Sequence, residues 1–259
     1  MSTVTQRIKQ IKQPRGGYLK PSTMNVVQLE DNKVLSENEN VSPAIVGMVV
    51  DYLTRFMLGT DLMQAFNISI MGSVAKEAIT KKKTKAETAL YLSQIEGLDD
   101  NSIINACKLT TFDVWYRNPM AAINAKDAKE TNPDKDTINN IKILVERSLS
   151  FFNNYGPIKA TGFTFEPNGY TKTVNAGDGD FLTEDTLWDF KVSKVPPKTE
   201  HTLQLLMYYI MGKHSGNPIF NDITQIGVFN PKLNKIYRYK VSDLDPEILK
   251  IIENEIICY

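Results

Sequence analysis

The acidic and basic side chains best placed for chemistry lie in one segment, residues 177–194, with the sequence GDGDFLTEDTLWDFKVSK. Two short apolar runs flank the polar pair Glu184-Asp185, which is typical of a hairpin that turns at that pair. In the antiparallel register that this turn sets, Asp180 lies directly opposite Asp189. Lys191 follows two residues later, and side chains two apart on a strand share a face. The segment therefore predicts two facing carboxylates with an ammonium group beside them.

Two carboxylates that face each other on a half-buried sheet repel unless a cation or a shared proton lies between them. Magnesium ions prefer such oxygen ligands, keep several waters and often bind a phosphate as well. A lysine beside them would stabilise a phosphate charge or a hydroxide. The alternative is a surface hairpin whose charged groups are merely solvated, since Asp-x-Lys also occurs at residues 31–33 and 127–129. The other face of the hairpin is apolar and consists of Phe181, Trp188, Phe190 and Val192.

A helix over residues 199–211 is predicted to follow the hairpin. His201, Gln204 and Tyr208 share one polar stripe of this helix, because residues three and four apart are neighbours on a helix surface. Gln204 and Tyr208 are suited to hydrogen-bond a catalytic carboxylate, a water or a DNA phosphate. The alternative is an ordinary amphipathic helix with Tyr208 half buried, and His201 is interpreted as a surface histidine. The neighbouring apolar stripe consists of Leu203, Leu206, Met207, Ile210 and Met211.

In this order the motifs resemble those of the PD-(D/E)xK nuclease superfamily, and most closely its RecB-like exonuclease branch. That branch typically has an acid on a first strand, Gly-x-x-Asp at the second, Asp-x-Lys on the third and Gln-x-x-x-Tyr on the next helix. The matching residues here are Glu166, Gly177-Asp178-Gly179-Asp180, Asp189-Phe190-Lys191 and Gln204-Leu205-Leu206-Met207-Tyr208. The resemblance covers about residues 136–257. Two positions depart from the pattern, because Gly179 replaces the motif's proline and Val192 stands where threonine is common.

The resemblance implies a divalent-metal site and a hydrolytic mechanism. Asp180 and Asp189 would hold Mg²⁺ or Mn²⁺, together with Glu166 and the main-chain carbonyl of Phe190. Lys191 would orient or help deprotonate the attacking water and stabilise the charge of the pentavalent phosphate. The catalytic residues implied in this way are Asp180, Asp189, Lys191, Gln204 and Tyr208.

The overall composition is that of an ordinary globular protein. The chain has 259 residues, of which 42% are apolar and 23% charged, with 30 basic and 30 acidic side chains. Such a chain forms one large domain or two modest ones and is neither disordered nor collagen-like. Two cysteines and two histidines are too few for an iron–sulfur cluster, a cysteine zinc site or a histidine-rich centre. Any metal is therefore expected to be held by oxygen.

The first 20 residues carry basic side chains and no acid, yet they lack the apolar run of a secretory signal. The chain also has no run of 18 apolar residues, so we expect a soluble, cytoplasmic protein without a membrane partner. A net charge of zero argues against a protein surface that is basic overall and binds nucleic acid. It still allows a local basic patch. The basic start and the TKKKTK run at residues 80–85 are candidates to contact a phosphate backbone, or are simply solvated.

The chain is expected to have three regions: a flexible basic and polar segment at 1–40, a helical region at 41–130 and a nuclease-like core at 131–259. Ser42-Pro43 is typical of a helix start. Further helices are predicted at 61–80, 84–96, 100–117 and 136–153. The core is then predicted to contain strands at 161–166, 172–182 and 187–192, the helix at 199–211, strands at 223–229 and 235–241 and a helix at 246–257. The predicted fold class is α/β, or α+β, with a restriction-endonuclease-like core in which helices flank a central mixed sheet.

We therefore expect a Mg²⁺- or Mn²⁺-dependent nuclease that hydrolyses phosphodiester bonds in DNA, with RNA left open as a substrate. By resemblance alone, phage defence, recombination or repair are plausible settings, with a helicase or another protein as partner. The alternative from a different class is a non-catalytic module on the same fold that binds nucleic acid or protein. That alternative predicts no stabilisation against heat by divalent ions.

Overall fold

The computed structural model describes residues 2–259 and shows a mixed α/β protein. Its strands are β1 (Ser2–Thr3), β2 (Asn25–Gln28), β3 (Ala160–Phe163), β4 (Val174–Ala176), β5 (Gly179–Leu182), β6 (Thr186–Phe190), β7 (Gln225–Asn230) and β8 (Lys235–Lys240). Its helices are α1 (Val4–Gln10), α2 (Pro43–Met57), α3 (Leu62–Ala65), α4 (Asn67–Thr80), α5 (Lys85–Ser93), α6 (Asp100–Thr110), α7 (Asp113–Arg117), α8 (Pro119–Ala122), α9 (Lys135–Tyr155), α10 (Thr199–Ser215) and α11 (Pro246–Ile251), which continues as a π-helix over Ile252–Ile257. None of the helices in the described part of the chain combines the length and apolarity needed to cross a membrane.

The main sheet has six strands in the order β2-β8-β7-β6-β5-β3. The central neighbours β6 and β7 are parallel, whereas the other neighbouring strands are antiparallel. A parallel pair needs a crossover connection, which α10 provides here. All residues of β6 from Thr186 to Phe190 are buried, because the strand has a neighbour on both sides and is covered by α9 on one face and α10 on the other. This central position determines the surroundings of Asp189.

The hairpin predicted from the sequence is formed by β5 and β6. Phe181 pairs with Trp188 and Leu182 pairs with Leu187. This is the register expected for a turn at Glu184-Asp185, and the prediction is confirmed.

One face of the sheet is aromatic and packs against the end of α9. The Phe151 ring stacks on that of Phe229 with a centroid distance of 4.1 Å and lies edge-on to Trp188 at 4.9 Å. The ring of Phe152 lies next to that of Phe181, with a centroid distance of 4.4 Å. The opposite face packs against α10 and contributes Leu182, Leu187, Ile226 and Val228 to the core.

The amino-terminal segment is folded, where the sequence predicts a flexible region over residues 1–40. β1 pairs in parallel with β4, and β2 forms an edge of the main sheet by pairing with β8. The segment folds because it contains a small set of apolar side chains, which are too few to change its polar overall composition. These side chains, buried in the core, are Val4, Ile8, Leu19 and Met24. Met1 lies outside the described residues.

The chain divides into two compact units, at a different place from the predicted boundary at 130/131. The sheet unit contains the residues up to Glu30 and Phe151–Tyr259, and the helical unit contains Asp31–Ser150. The division falls inside α9, because the aromatic end of this helix packs on the sheet. Near the predicted boundary, the carboxylate of Asp134 accepts a hydrogen bond from the main-chain N–H of Thr137 at the start of α9.

The helical unit matches the predicted helices with two interruptions. Ser42 caps α2 by accepting a hydrogen bond from the N–H of Ile45, which confirms the predicted helix start. The predicted helix at 61–80 is divided at Phe66, and the one at 100–117 is divided between α6 and α7. At the second division Asp113 is buried, and its carboxylate accepts hydrogen bonds from two buried hydroxyl groups, those of Tyr52 and Ser69.

Candidate active site

The two predicted carboxylates lie at the end of the hairpin away from its turn. Asp180 is in β5, and its Oδ2 accepts a hydrogen bond of 2.7 Å from the main-chain N–H of Phe190 in β6. Asp189 directly precedes Phe190, so this bond holds the two carboxylates near each other across the hairpin. In an extended strand the N–H and C=O of one residue point to the same side. The carbonyl of Phe190 therefore also faces β5 and Asp180.

Asp189 has an unusual environment for a carboxylate, because only 1% of its surface is exposed. Its Oδ1 lies 3.0 Å from Nζ of Lys191, whose side chain is 27% exposed and so reaches from solvent to the buried acid. Its Oδ2 is buried and has no hydrogen-bond partner among residues 2–259. A buried carboxylate oxygen without a partner is costly. This oxygen therefore needs a cation or a hydrogen-bond donor that residues 2–259 do not supply.

The residues present fit a hard divalent cation. They offer the carboxylates of Asp180 and Asp189, a buried carboxylate oxygen that needs a partner, and the carbonyl of Phe190 on the same side. Mg²⁺ is commonly held by one or two carboxylates while it keeps several waters and binds substrate phosphate. Two acids and one carbonyl are therefore a sufficient donor set.

Glu166, the third acid that the resemblance implies, has a different position. β3 ends at Phe163, so Glu166 lies in the loop beyond the strand and is exposed. Within the described residues no three His, Cys, Asp or Glu side chains are grouped closely enough to hold one ion. The structure thus brings Asp180, Asp189 and Lys191 together but does not add Glu166 to them.

The helix α10 places Gln204 and Tyr208 one turn apart on the side of these acids. Nε2 of Gln204 donates a hydrogen bond of 2.8 Å to the hydroxyl oxygen of Tyr208, which is 4% exposed. Burial, followed by the negative charges of Asp189 and Asp180, raises the pKa of Tyr208 well above its usual value. The phenol therefore keeps its proton. Because its oxygen already accepts from Gln204, Tyr208 can act as a hydrogen-bond donor towards the site.

His201 also belongs to this neighbourhood, although the sequence interpretation assigns it to the surface. Burial, and then the nearby charge of Lys191, lower its pKa below the usual value. Its Nδ1 accepts a hydrogen bond of 3.1 Å from the main-chain N–H of Lys198. The imidazole is therefore neutral at neutral pH, with its proton on Nε2. The signal in the sequence was its spacing of three and seven residues from Gln204 and Tyr208.

Gly179 stands where the resembled motif has proline, and the structure supplies the physical reason. Gly179 pairs with Phe163 of β3, and a Cβ atom added at Gly179 would lie 2.2 Å from the Phe163 ring.

We predict that Gly179→Ala lowers the free energy of unfolding by about 1–3 kcal/mol, because the ring must move in a packed core. Urea denaturation measures this, with Gly97→Ala as control, since a Cβ there meets nothing within 4 Å. Equal urea concentrations at the unfolding midpoint for the Gly179→Ala and Gly97→Ala proteins would contradict the prediction.

Comparison of the chain with protein-family models, curated proteins and solved structures gives no match.

Proposed function

We propose that the protein is a Mg²⁺- or Mn²⁺-dependent nuclease that hydrolyses phosphodiester bonds in DNA, on a core of the PD-(D/E)xK type. The observation that carries the proposal is the buried Asp189, whose Oδ2 lacks a partner within residues 2–259 while its Oδ1 pairs with Lys191. Asp180 lies across the hairpin from this acid. A cytoplasmic setting and delivery of DNA by a helicase or another protein belong to the same proposal.

In this proposal Asp180, Asp189 and the Phe190 carbonyl would hold the ion. When bound, a divalent ion supplies concentrated positive charge that polarises the scissile phosphate. Lys191 reaches from solvent to the buried Asp189, and there its ammonium group would orient the attacking water and stabilise the extra negative charge of the pentavalent phosphate. An ammonium group can also exchange a proton with that water, which suits hydrolysis.

Gln204 and Tyr208 would position the reacting groups. Their mutual hydrogen bond fixes both side chains, and the protonated phenol offers a donor to a phosphate oxygen or a carboxylate. His201 offers a second neutral donor from Nε2. Each of these groups donates, so together they favour an anionic ligand over a cationic one.

A pair of substitutions on α10 separates positioning from core packing. Leu206 is fully buried, so Leu206→Ala should lower the free energy of unfolding by about 2–5 kcal/mol and leave turnover by the folded protein unchanged. Gln204→Ala should cost only about 1 kcal/mol of stability but lower turnover by about tenfold, because Tyr208 loses its partner. Urea denaturation and single-turnover cleavage measure the two effects. A strongly destabilised Gln204→Ala protein would identify Gln204 as a structural residue instead.

The second candidate is a non-catalytic binding module, and one observation favours it. The ion pair of Lys191 with Asp189 at 3.0 Å already offsets part of the buried charge without any metal. In that case the hairpin acids and the lysine stabilise each other and hold no ion. Such a protein would not gain heat stability from Mg²⁺ or Mn²⁺.

The test is incubation of the purified protein with linear and circular DNA, single- and double-stranded, in Mg²⁺, Mn²⁺ or EDTA. Cleavage with either ion and none in EDTA is the expected result. Loss of circular DNA would identify an endonuclease, and loss of linear DNA alone an exonuclease. A matched RNA substrate addresses the choice of nucleic acid. No cleavage, combined with no ion-dependent rise in melting temperature, would favour the binding module.

A further inference from the structure

The segment between α1 and β2 carries uncompensated positive charge. Lys12, Arg15 and Lys20 are exposed, and their side chains form no ion pair or hydrogen bond within residues 2–259. The first acidic residue of the chain is Glu30, so nothing in the local sequence neutralises these three cations. We call Lys12, Arg15 and Lys20 the basic strip.

The basic strip is held in a fixed position by α10. The hydroxyl group of Thr202 donates a hydrogen bond of 2.7 Å to the carbonyl of Leu19, whose side chain is buried. At Gly17, which has a φ of +81°, an added Cβ atom would lie 2.8 Å from Cγ2 of Thr199. The backbone that carries the three cations is therefore packed tightly against the first turn of α10. The strip is an ordered surface and differs from the flexible tail that composition predicts.

This surface and the candidate active site share the helix α10. Thr199 and Thr202, which hold the strip, lie in the first turns of α10 together with His201 and Gln204, but on the opposite side of the helix from these two residues. Earlier in the same amino-terminal segment, Val4 packs against the loop that leads into the site. An added Cβ atom at Gly177 would lie 2.8 Å from Cγ2 of Val4 and 3.7 Å from the ring of Tyr208.

We propose that the basic strip binds the phosphate backbone of DNA and holds it beside the candidate active site, an inference that rests on the proposed function. The acids of the site, Asp180 and Asp189, repel a polyanion. A protein with no net charge needs a local group of cations to overcome that repulsion. Exposed lysine and arginine side chains bind phosphates without sequence preference by releasing counterions from DNA. The fixed backbone gives these contacts a defined direction relative to the hairpin.

The test compares two triple variants of equal charge. One replaces the basic strip (Lys12→Ala, Arg15→Ala, Lys20→Ala). The control replaces three exposed lysines of the same sheet unit (Lys159→Ala, Lys240→Ala, Lys250→Ala). Fluorescence anisotropy with a duplex oligonucleotide in Ca²⁺ measures binding without cleavage over a range of KCl concentrations. The slope of log K against log salt should become shallower by about 2 to 3 for the strip variant. It should not change for the control.

Equal slopes for the two variants would overturn the proposal, whatever the cleavage assays show. Binding is measured separately from chemistry, so a wild-type protein that binds DNA through the strip but never cleaves it would contradict only the proposed function. In cleavage assays the strip variant should have a raised KM with an unchanged kcat. Thermal unfolding checks that both variants fold. If the triple strip variant does not, the single variants Lys12→Ala and Arg15→Ala should each lower the slope by about 1.

Discussion

Asp189→Asn and Asp180→Asn are expected to lower DNA cleavage by about 10³-fold or more and to abolish stabilisation of the protein by Mg²⁺ or Mn²⁺. Each change removes one carboxylate charge but keeps the shape of the side chain. In the Asp180→Asn protein the new amide oxygen can still accept from the N–H of Phe190, so the hairpin is preserved. Without added ions the two variants should differ from wild type by no more than about 1 kcal/mol in stability. At Asp189 the loss of the partly exposed Lys191 pair is offset by weaker repulsion between the acids.

Thermal unfolding with Mn²⁺, Mg²⁺ or EDTA measures the ion dependence, and cleavage of linear duplex DNA measures the activity. Asp185→Asn is a matched control, because Asp185 is an acid at the turn of the same hairpin. Its carboxylate accepts hydrogen bonds from Thr186 and Gln225, at the opposite end of the strands from the site. This control should keep both the ion response and the cleavage rate. If both site variants kept the ion-dependent rise in melting temperature, the metal assignment would be wrong.

Lys191→Arg is expected to lower cleavage by about 10²–10³-fold while metal binding and DNA binding are retained. Arginine keeps the positive charge and can still pair with the buried Asp189. Its guanidinium group is wider than an ammonium group and does not exchange a proton near neutral pH. The attacking water would therefore lose its partner although the charge of the site is the same. This one substitution therefore separates the effect of the positive charge on cleavage from the effect of proton exchange.

Titration calorimetry with Mn²⁺ reports metal binding to the Lys191→Arg protein, and a gel-shift assay in Ca²⁺ reports DNA binding. Lys194→Arg, three residues further along the same connection, controls for the exchange of lysine for arginine and should cleave at the wild-type rate. Wild-type cleavage by Lys191→Arg would show that Lys191 only supplies charge. The proposed role in orienting the water would then be dropped.

Several features of the site follow directly from local spacing in the sequence. The alternation of side chains in residues 177–194 and the turn at Glu184-Asp185 predict the pairing of Phe181 with Trp188 that the structure has. A spacing of four residues likewise places Gln204 and Tyr208 together on α10. In both cases the backbone geometry of a strand or a helix converts the spacing into a direction. No knowledge of distant parts of the chain is needed.

The amino-terminal segment could not be predicted in this way. Its few buried apolar residues stand among lysines and arginines, so composition favours a flexible tail. Its order comes from partners far along the chain, since Ser2 pairs with Val174 and β2 pairs with β8. The division of the chain within α9 has the same origin, because it depends on Phe151 packing against Phe229.

By itself the sequence determined which chemical groups are present and which of them share a strand or helix face: two acids and a lysine on a hairpin, with a glutamine and a tyrosine on the next helix. Only the tertiary structure decided that Asp189 is buried with an oxygen that lacks a partner within residues 2–259, that Glu166 lies apart from it, and that the amino-terminal segment packs against α10. The physical reason is that burial and long-range hydrogen bonds depend on strand order. Asp189 is buried because β7 pairs with β6 and α10 covers them, and these elements are brought together by packing of the whole sheet unit.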